Sequence, residues 1–215
     1  MNVRFRLARM ARVSQEHLDA RRRQILQGAA RCFAGNGFHG TSMQDVLKEI
    51  GLSAGAVYRY FAGKEELITA IADEAFASIR QAFEEAADLT PPPTPDVLLG
   101  RVMRGILSGQ MYGLERRACA ALIVQVWAET LRDERLAQVL EDGYAGMRVA
   151  WAKLVEAYRA AGILHSDVPA DDVARTMIAT AQGFMAQEAL FGGVEPEILE
   201  NGLRGLMSMD PQKIS

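Results

Sequence analysis

The sequence is poor in several residue types, and each shortage excludes a class of protein. Only 2 cysteines, Cys32 and Cys119, occur among 215 residues, which is too few for the disulfide framework of a small secreted domain. Each lies within an apolar helical pattern, and this predicts two buried free thiols. The longest apolar run, Ala118 to Ala128, is far shorter than the ~20 residues that a membrane-spanning helix needs. No continuous apolar segment marks the N-terminus as a secretory signal, so we expect a cytoplasmic protein with no membrane partner.

Groups that could carry catalysis or bind a metal are equally scarce. The 3 histidines, His17, His39 and His165, are far apart, and none belongs to a cluster with metal-ligand spacing. The sequence has no nucleophile elbow and no glycine-rich phosphate loop. We therefore expect no metal, no other cofactor and no enzymatic activity.

Charge is divided unevenly along the chain. Residues 1–64 hold 11 lysines and arginines against 4 acidic residues, a net charge of +7, whereas residues 65–215 hold 13 against 23, a net charge of −10. A basic segment attached to an acidic body suits a protein that brings one end close to phosphates. A solvated basic face would give the same count, so charge alone leaves both interpretations open.

Apolar residues at helical spacing, interrupted by glycine and proline, predict an all-α fold with about nine helices. The proline-rich segment 88–95 is predicted to be a stiff surface loop. The predicted helices span residues 17–34, 42–50, 54–61, 64–87, 96–112, 115–131, 133–161, 170–191 and 195–208.

Two short helices of this set, 42–50 and 54–61, have the spacing of a helix-turn-helix and are joined by Gly51-Leu52-Ser53. In the second helix, Tyr58 offers a hydroxyl for a phosphate oxygen, and Arg59 offers a fork that matches guanine O6 and N7. At about 100° per residue, one side of this helix is predicted to read DNA and carries Ala54, Gly55, Tyr58 and Arg59.

Five short patterns follow one another almost without gaps between Ile25 and Leu67. They are Ala29-Ala30-x-x-Phe33, Gly37-Phe38-x-Gly40-Thr41-Ser42, Asp45-Val46, Gly51-Leu52-Ser53, and Val57-Tyr58-Arg59-Tyr60-Phe61 followed by Lys64-Glu65-Glu66-Leu67. Each is weak alone, but together they resemble the N-terminal DNA-binding domain of the TetR family of transcriptional regulators. The resemblance implies contacts to the DNA backbone by Thr41, Ser42, Tyr58, Tyr60 and Lys64. It places Gln44, Ala54, Gly55 and Arg59 toward the groove, and Ser53 completes the predicted site as the cap of the reading helix.

The resemblance also implies that the rest of the chain binds a small effector and forms a homodimer on a pseudopalindromic operator. Aromatic residues and methionines on the later helices suit an apolar pocket, although at helical spacing such residues more often form the core. The predicted pocket consists of Met103, Leu107, Met111, Gln125, Trp127, Tyr144, Met147, Trp151 and Phe184. The predicted dimer interface consists of Ala174, Met177, Ile178, Ala181, Phe184, Met185, Leu203, Leu206 and Met207.

These interpretations divide the chain into a basic, disordered arm (1–16), a DNA-binding domain (17–63) and an effector-binding and dimerisation domain (64–215). Met10 is an alternative initiator to Met1. The expected function is that of a repressor released from double-stranded operator DNA by a largely apolar effector. Two rivals remain open at this point: a helical enzyme or carrier, and an architectural protein that binds DNA without sequence preference.

Overall fold

The structure is a computed structural model that describes residues 3–109, 112–164 and 167–209, with side chains from Gln15 onward. Within these ranges the chain forms nine helices and no strand, so the all-α prediction is confirmed. The chain divides into two compact units, one ending at Ile71 and the other beginning at Ala72. The helices are α1 (Val3–Asn36), α2 (Met43–Ile50), α3 (Ala54–Tyr58), α4 (Lys64–Ala87), α5 (Pro95–Leu107), α6 (Arg116–Glu129), α7 (Glu134–Ala160), α8 (Ala170–Phe191) and α9 (Pro196–Met207).

Helix α1 begins much earlier than the sequence predicts. The arm 1–16 was expected to be disordered, but the helix is continuous from Val3 to Asn36. Arginine, leucine, alanine and methionine, which dominate this segment, are all good helix formers, and no glycine or proline precedes Gly28.

In the first unit, local hydrogen bonds set the ends of α2. The Ser42 hydroxyl accepts from the Asp45 amide, and the Asp45 carboxylate accepts from the Ser42 amide, which together form a capping box. At the other end Gly51 adopts the left-handed conformation, φ 65°, and its N–H donates to the Leu47 carbonyl. The turn toward α3 is therefore fixed by its own sequence.

Helix α1 packs closely on α2 through Gly28. A Cβ atom at Gly28 would lie 1.9 Å from Ile50 Cγ2, so no larger residue fits there without a shift. Below this contact lies the apolar core of the first unit, which is formed by Ile25, Leu26, Phe33, Val46, Val57, Phe61 and Leu67.

The second unit is built around α8, which packs against both α6 and α7, while α9 packs on α5. Helix α5 ends at Leu107 instead of residue 112 because Gly109 turns the chain with φ 72°. No helix in the described ranges is long and apolar enough to cross a membrane. The largest fully buried side chains here are Phe83, Leu98, Leu99, Leu122, Leu136, Trp151 and Leu154.

Candidate nucleic-acid interface and effector domain

One side of α3 is buried and the other faces solvent, as the sequence predicts. Val57 is completely buried, whereas half of the Tyr58 side chain is exposed. No hydrogen bond or ion pair to another described residue holds the side chain of Tyr58 or Arg59. Both groups are thus available to a nucleic acid. The exposed face, here called the reading face, consists of Ser53, Ala54, Gly55, Tyr58 and Arg59.

The reading face is anchored from its first turn. Ser53 caps α3, and its hydroxyl accepts from the Ala56 amide at 3.4 Å. Helix α3 ends at Tyr58 and not at Phe61, but the chain stays tightly wound because the Phe61 amide donates to the Val57 carbonyl at 3.1 Å. Tyr60 lies half-buried in this last turn.

The start of α2 is exposed beside the turn. Gln44 faces solvent, as expected of a residue directed toward a groove. Ser42 is also exposed, but its hydroxyl already donates to the Asp45 carboxylate at 2.6 Å. These hydrogen bonds from Ser42 hold the pKa of Asp45 below its usual value. A phosphate at this position would have to compete with that carboxylate.

Thr41 does not occupy a position from which its side chain could reach DNA. It is only 2% exposed, and its hydroxyl is directed at the carbonyls of Cys32 (3.1 Å) and Gly37 (2.8 Å). Its amide donates to the Phe38 carbonyl. We therefore correct the predicted phosphate contact: the Thr41 side chain joins the end of α1 to the loop before α2.

Lys64 has a structural partner in addition to its predicted role. Its ammonium group donates to the Phe38 carbonyl at 3.2 Å and lies 4.5 Å from the centre of the Phe38 ring. This cation–π contact fixes the first residue of α4 against the loop after α1. The side chain is half-buried, so a phosphate could still reach the ammonium group from the solvent side.

In the second unit, five of the predicted pocket residues form part of the buried interior. They are Met103, Leu107, Met147, Trp151 and Phe184. Gln125, Trp127 and Tyr144 are half-buried. Met111 lies outside the described residues.

A polar cluster links three helices within this interior. The Tyr144 hydroxyl on α7 accepts a hydrogen bond from the Gln182 amide on α8 at 2.8 Å and another from the Trp127 side chain on α6. Phe76 meets the Tyr144 ring edge-on with a centroid distance of 5.1 Å. Burial raises the pKa of the Tyr144 phenol. Sequence reasoning missed Gln182, although a glutamine among apolar residues of α8 was a usable signal.

Four polar side-chain atoms in the same unit are buried without a hydrogen-bond partner among the described residues, and two of them, Gln125 Oε1 and Trp151 Nε1, belong to the predicted pocket. The Trp151 ring packs on Phe83 with a centroid distance of 5.0 Å. An unsatisfied buried polar group costs about 1–3 kcal/mol. A bound molecule that supplied an acceptor to the indole N–H would remove that cost.

A cleft of about 680 Å³ opens near the start of α6, and among the described residues that line it, Leu107 alone belongs to the predicted pocket. Arg116 donates to the Val194 carbonyl and to Glu195, and Arg117 donates to the Ala189 and Leu190 carbonyls. Arg117 thus ties α6 to the end of α8, and Arg116 ties it to the turn between α8 and α9. The lining consists of Leu107, Ser108, Gly109, Gly113, Leu114, Glu115, Arg116, Arg117 and Glu188.

Most of the predicted dimer interface lies inside the chain's own core. Ala174, Ile178, Phe184, Met185 and Leu203 are buried, and α8 packs against α6 and α7. Met177 and Ala181 are half-buried, so only Leu206 and Met207 are exposed as expected. The predicted residues of α8 do form an apolar stripe, but neighbouring helices of the same chain cover it. The exposed apolar face of α8 and α9 instead carries Ala179, Gly183, Leu190, Phe191, Ile198, Gly202 and Leu206, and Met209 is exposed just beyond α9.

The capped helix pair and its exposed reading face define a helix-turn-helix DNA-binding protein. Family models agree with this class. The model for bacterial regulatory proteins of the tetR family matches residues 25–71, and that for the C-terminal region of BetI-type transcriptional repressors matches residues 101–204. The chain belongs to the TetR family of transcriptional regulators, whose members are not enzymes.

Individual relatives agree with this family. The chain is 46% identical over 65 residues to the HTH-type transcriptional repressor Rv1474c of Mycobacterium tuberculosis, a match that covers 30% of this chain and 35% of that protein. The match to the repressor AcnR of Corynebacterium diphtheriae likewise covers 38% of that relative, so the chain spans about a third of both. AcnR of Corynebacterium jeikeium is 25% identical over 86% of this chain and 90% of its own length. The solved structure of Salmonella enterica GusR superposes with a TM-score of 0.70 at 28% identity, over 88% of this chain and 96% of that one.

Proposed function

We propose that the protein is a cytoplasmic repressor that binds a pseudopalindromic operator as a homodimer and leaves it when a small, largely apolar effector binds. The observation that carries this proposal is the reading face. The side chains of Tyr58 and Arg59 on this face are exposed and have no hydrogen-bond or ion-pair partner among the described residues, while Val57 and the caps at Ser42 and Ser53 hold the helices that present them. Repression, rather than activation, is suggested by relatives whose names describe repressors.

The exposed apolar face of α8 and α9 supports the homodimer. Leu190 and Phe191 on α8 and Leu206 on α9 are each more than 60% exposed. Small exposed residues on the same helices, such as Ala179, Gly183 and Gly202, would let a second copy approach closely. A dimer of helix-turn-helix heads meets two half-sites about 34–36 Å apart, which explains a palindromic target.

The interior of the second unit supports the effector. The Phe76 ring packs edge-on against Tyr144 of the Trp127–Tyr144–Gln182 cluster. Trp151 Nε1 and Gln125 Oε1, which have no hydrogen-bond partner among the described residues, could each bond to a polar end of a mostly apolar molecule. Helix α4 contributes residues to both compact units. We therefore infer that an effector changes the separation of the two reading heads through α4, so that effector and operator weaken each other reciprocally.

Selection of genomic fragments bound by the purified chain tests the DNA-binding part of the proposal. The best fragment should contain an inverted repeat and bind at least about 10³-fold more tightly than random DNA of equal length. A ratio near one would support the architectural rival instead. An Arg59→Ala variant, prepared in parallel, should lose most of this ratio.

The effector part needs a separate experiment. Compounds that raise the melting temperature of the free protein in a thermal-shift screen are titrated into the protein–operator complex. A true effector dissociates the complex of the parent chain, and its effect should change for Tyr144→Phe, which removes the acceptor shared by Trp127 and Gln182. A compound that stabilises the free protein but leaves operator binding unchanged would contradict this mechanism.

A further inference from the structure

We propose that the N-terminal extension of α1, residues 3–15, is a second DNA-binding element that contacts phosphates beside the operator half-site. This inference rests on the proposed operator binding and extends it beyond the helix-turn-helix. The family match begins at Ile25, so the extension lies outside the part of the chain that carries the family's own contacts.

The charge of the extension is of one sign. It contains Arg4, Arg6, Arg9 and Arg12, and the first acidic residue of the chain is Glu16. Residues 65–215, in contrast, have a net charge of −10 and would repel DNA. The extension and the helix-turn-helix belong to the same compact unit.

The position of α1 gives the extension its reach. At Arg22 the helix passes beside the end of the reading helix, since the Arg22 guanidinium lies 5.5 Å from the centre of the Phe61 ring. From Arg22 the helix continues back to Val3. At about 1.5 Å per residue, these 19 residues span about 28 Å, which equals about 8 base pairs at 3.4 Å each. The extension is therefore long enough to reach phosphates beyond the bases that α3 reads.

The arrangement of residues favours DNA over a membrane surface as the partner. Arg6, Arg9 and Arg12 recur at every third position, a sequence spacing that corresponds to a range of about 120° at 100° per residue. By the same spacing Phe5 and Val13 fall within that range, so the sequence pattern does not separate charged from apolar positions. A helix that lies in a membrane interface needs its charged and apolar residues on separate faces, whereas phosphate contacts need only the charges.

The test compares the parent chain with the triple variant Arg6→Gln/Arg9→Gln/Arg12→Gln on the selected operator carrying 10 additional base pairs on each side. Loss of three phosphate contacts should lower the slope of log affinity against log salt by about 2.7 per subunit. Between 50 and 200 mM salt, the parent should then lose about 40-fold more affinity per subunit than the variant. On an operator trimmed to its two half-sites, the two proteins should bind with nearly equal slopes.

A matched control, Arg132→Gln/Arg135→Gln/Lys153→Gln, removes the same charge from exposed positions of the second unit and should behave like the parent. Equal salt slopes for the parent and the Arg6/Arg9/Arg12 variant would overturn the proposal. The proposal would also be overturned if the three arginines were needed for binding to vesicles of anionic phospholipid but not for binding to the operator. Tight binding of the trimmed operator shows that the variant is folded. Failure of the parent chain itself to prefer any operator would instead contradict the proposed function.

Discussion

The guanidinium group of Arg204, near the end of α9, donates a hydrogen bond of 3.0 Å from Nε to the buried carboxylate of Asp96 at the start of α5, and its Nη2 lies 3.0 Å from the same oxygen. Asp96 also accepts from the Thr94 hydroxyl and the Val97 amide. Burial alone would raise the pKa of Asp96, but these hydrogen bonds outweigh it, and the pKa lies below its usual value. The pair joins α9, which carries part of the exposed apolar face, to α5.

We expect Asp96→Asn to lower the free energy of unfolding by about 1.5–3 kcal/mol at pH 7, because hydrogen bonds to a charged group are lost in a buried site. Urea unfolding followed by circular dichroism measures the change. Glu197→Gln is the control, since Glu197 is exposed and pairs with Arg104 at 3.2 Å, and it should cost less than about 1 kcal/mol. Equal effects of the two substitutions would contradict a special role for the buried carboxylate.

The same pair predicts a pH dependence. Because the pKa of Asp96 is lowered by folding, ionised Asp96 stabilises the native state fully above the unfolded value of about 3.9. This contribution is lost as the pH falls through that value toward the lower native one. The difference in unfolding free energy between the parent and Asp96→Asn should stay constant from pH 7 to about 5 and shrink below about 4. A difference that grows on acidification would mean that the pKa is raised.

Arg59 and Lys64 should contribute differently to DNA binding. Arg59 is exposed and has no side-chain partner in the part of the chain that the structure describes, so Arg59→Ala should relax base preference by about 1–3 kcal/mol at one position while the melting temperature stays the same. Lys64→Ala should weaken specific and random DNA alike, and its salt slope should fall by about 1. Since Lys64 also contacts Phe38, this variant should melt at a lower temperature. Fluorescence anisotropy on both DNAs, with a melting curve for each protein, separates these effects. Equal losses on both DNAs for Arg59→Ala would remove it from the reading face.

Thr41→Val tests the corrected role of Thr41. Removal of its hydroxyl should cost about 1–3 kcal/mol of unfolding free energy, because the bonds to the Cys32 and Gly37 carbonyls are lost. Operator affinity, measured well below the melting temperature, should be unchanged. Ser42→Ala, which removes the neighbouring exposed cap, should lower the free energy of unfolding by about 1 kcal/mol. A uniform loss of DNA affinity for Thr41→Val would restore the phosphate contact that the family resemblance implies.

The exposed face of α8 and α9 predicts the effect of charge on assembly. Leu190→Glu/Leu206→Glu should convert the proposed dimer to monomers of half the mass in light scattering, since two carboxylates per subunit would be buried in the interface. The affinity for the operator should fall as the dimer is lost. Leu131→Glu places a charge on another apolar residue, 85% exposed and outside these helices, and should leave the mass unchanged. An unchanged mass for the double variant would place the interface elsewhere.

Local chemistry explains what could be predicted from the sequence. Ser42, Asp45 and Gly51 fix the ends of α2 through contacts within a few residues, so the motif and its turn can be recognised without tertiary information. The buried state of Cys32 and Cys119 follows from the apolar pattern around them and is confirmed. The side of α3 that faces solvent can be predicted from the helical period of its apolar residues alone.

What could not be predicted depends on which neighbour covers a given face. Ala174 and Ile178 form a true apolar stripe on α8, but periodicity cannot tell a face that meets α6 and α7 from one that meets another subunit. Thr41 shows the same limit for polar groups. A threonine before a helix suggests a cap or a phosphate contact, and only the path of the chain places the Cys32 carbonyl within reach.

The exposed face of α3 has a consequence for how binding specificity can change during evolution. Val57 and the two serine caps stabilise the motif, whereas the groups that would touch bases contribute little to it. A Cβ atom added at Gly55 would meet nothing within 4 Å, and Ala54 beside it is exposed as well. Surface substitutions of this kind usually change stability by less than about 0.5 kcal/mol. New side chains at positions 54, 55 and 59 could therefore retarget the protein to another operator without compensating mutations elsewhere.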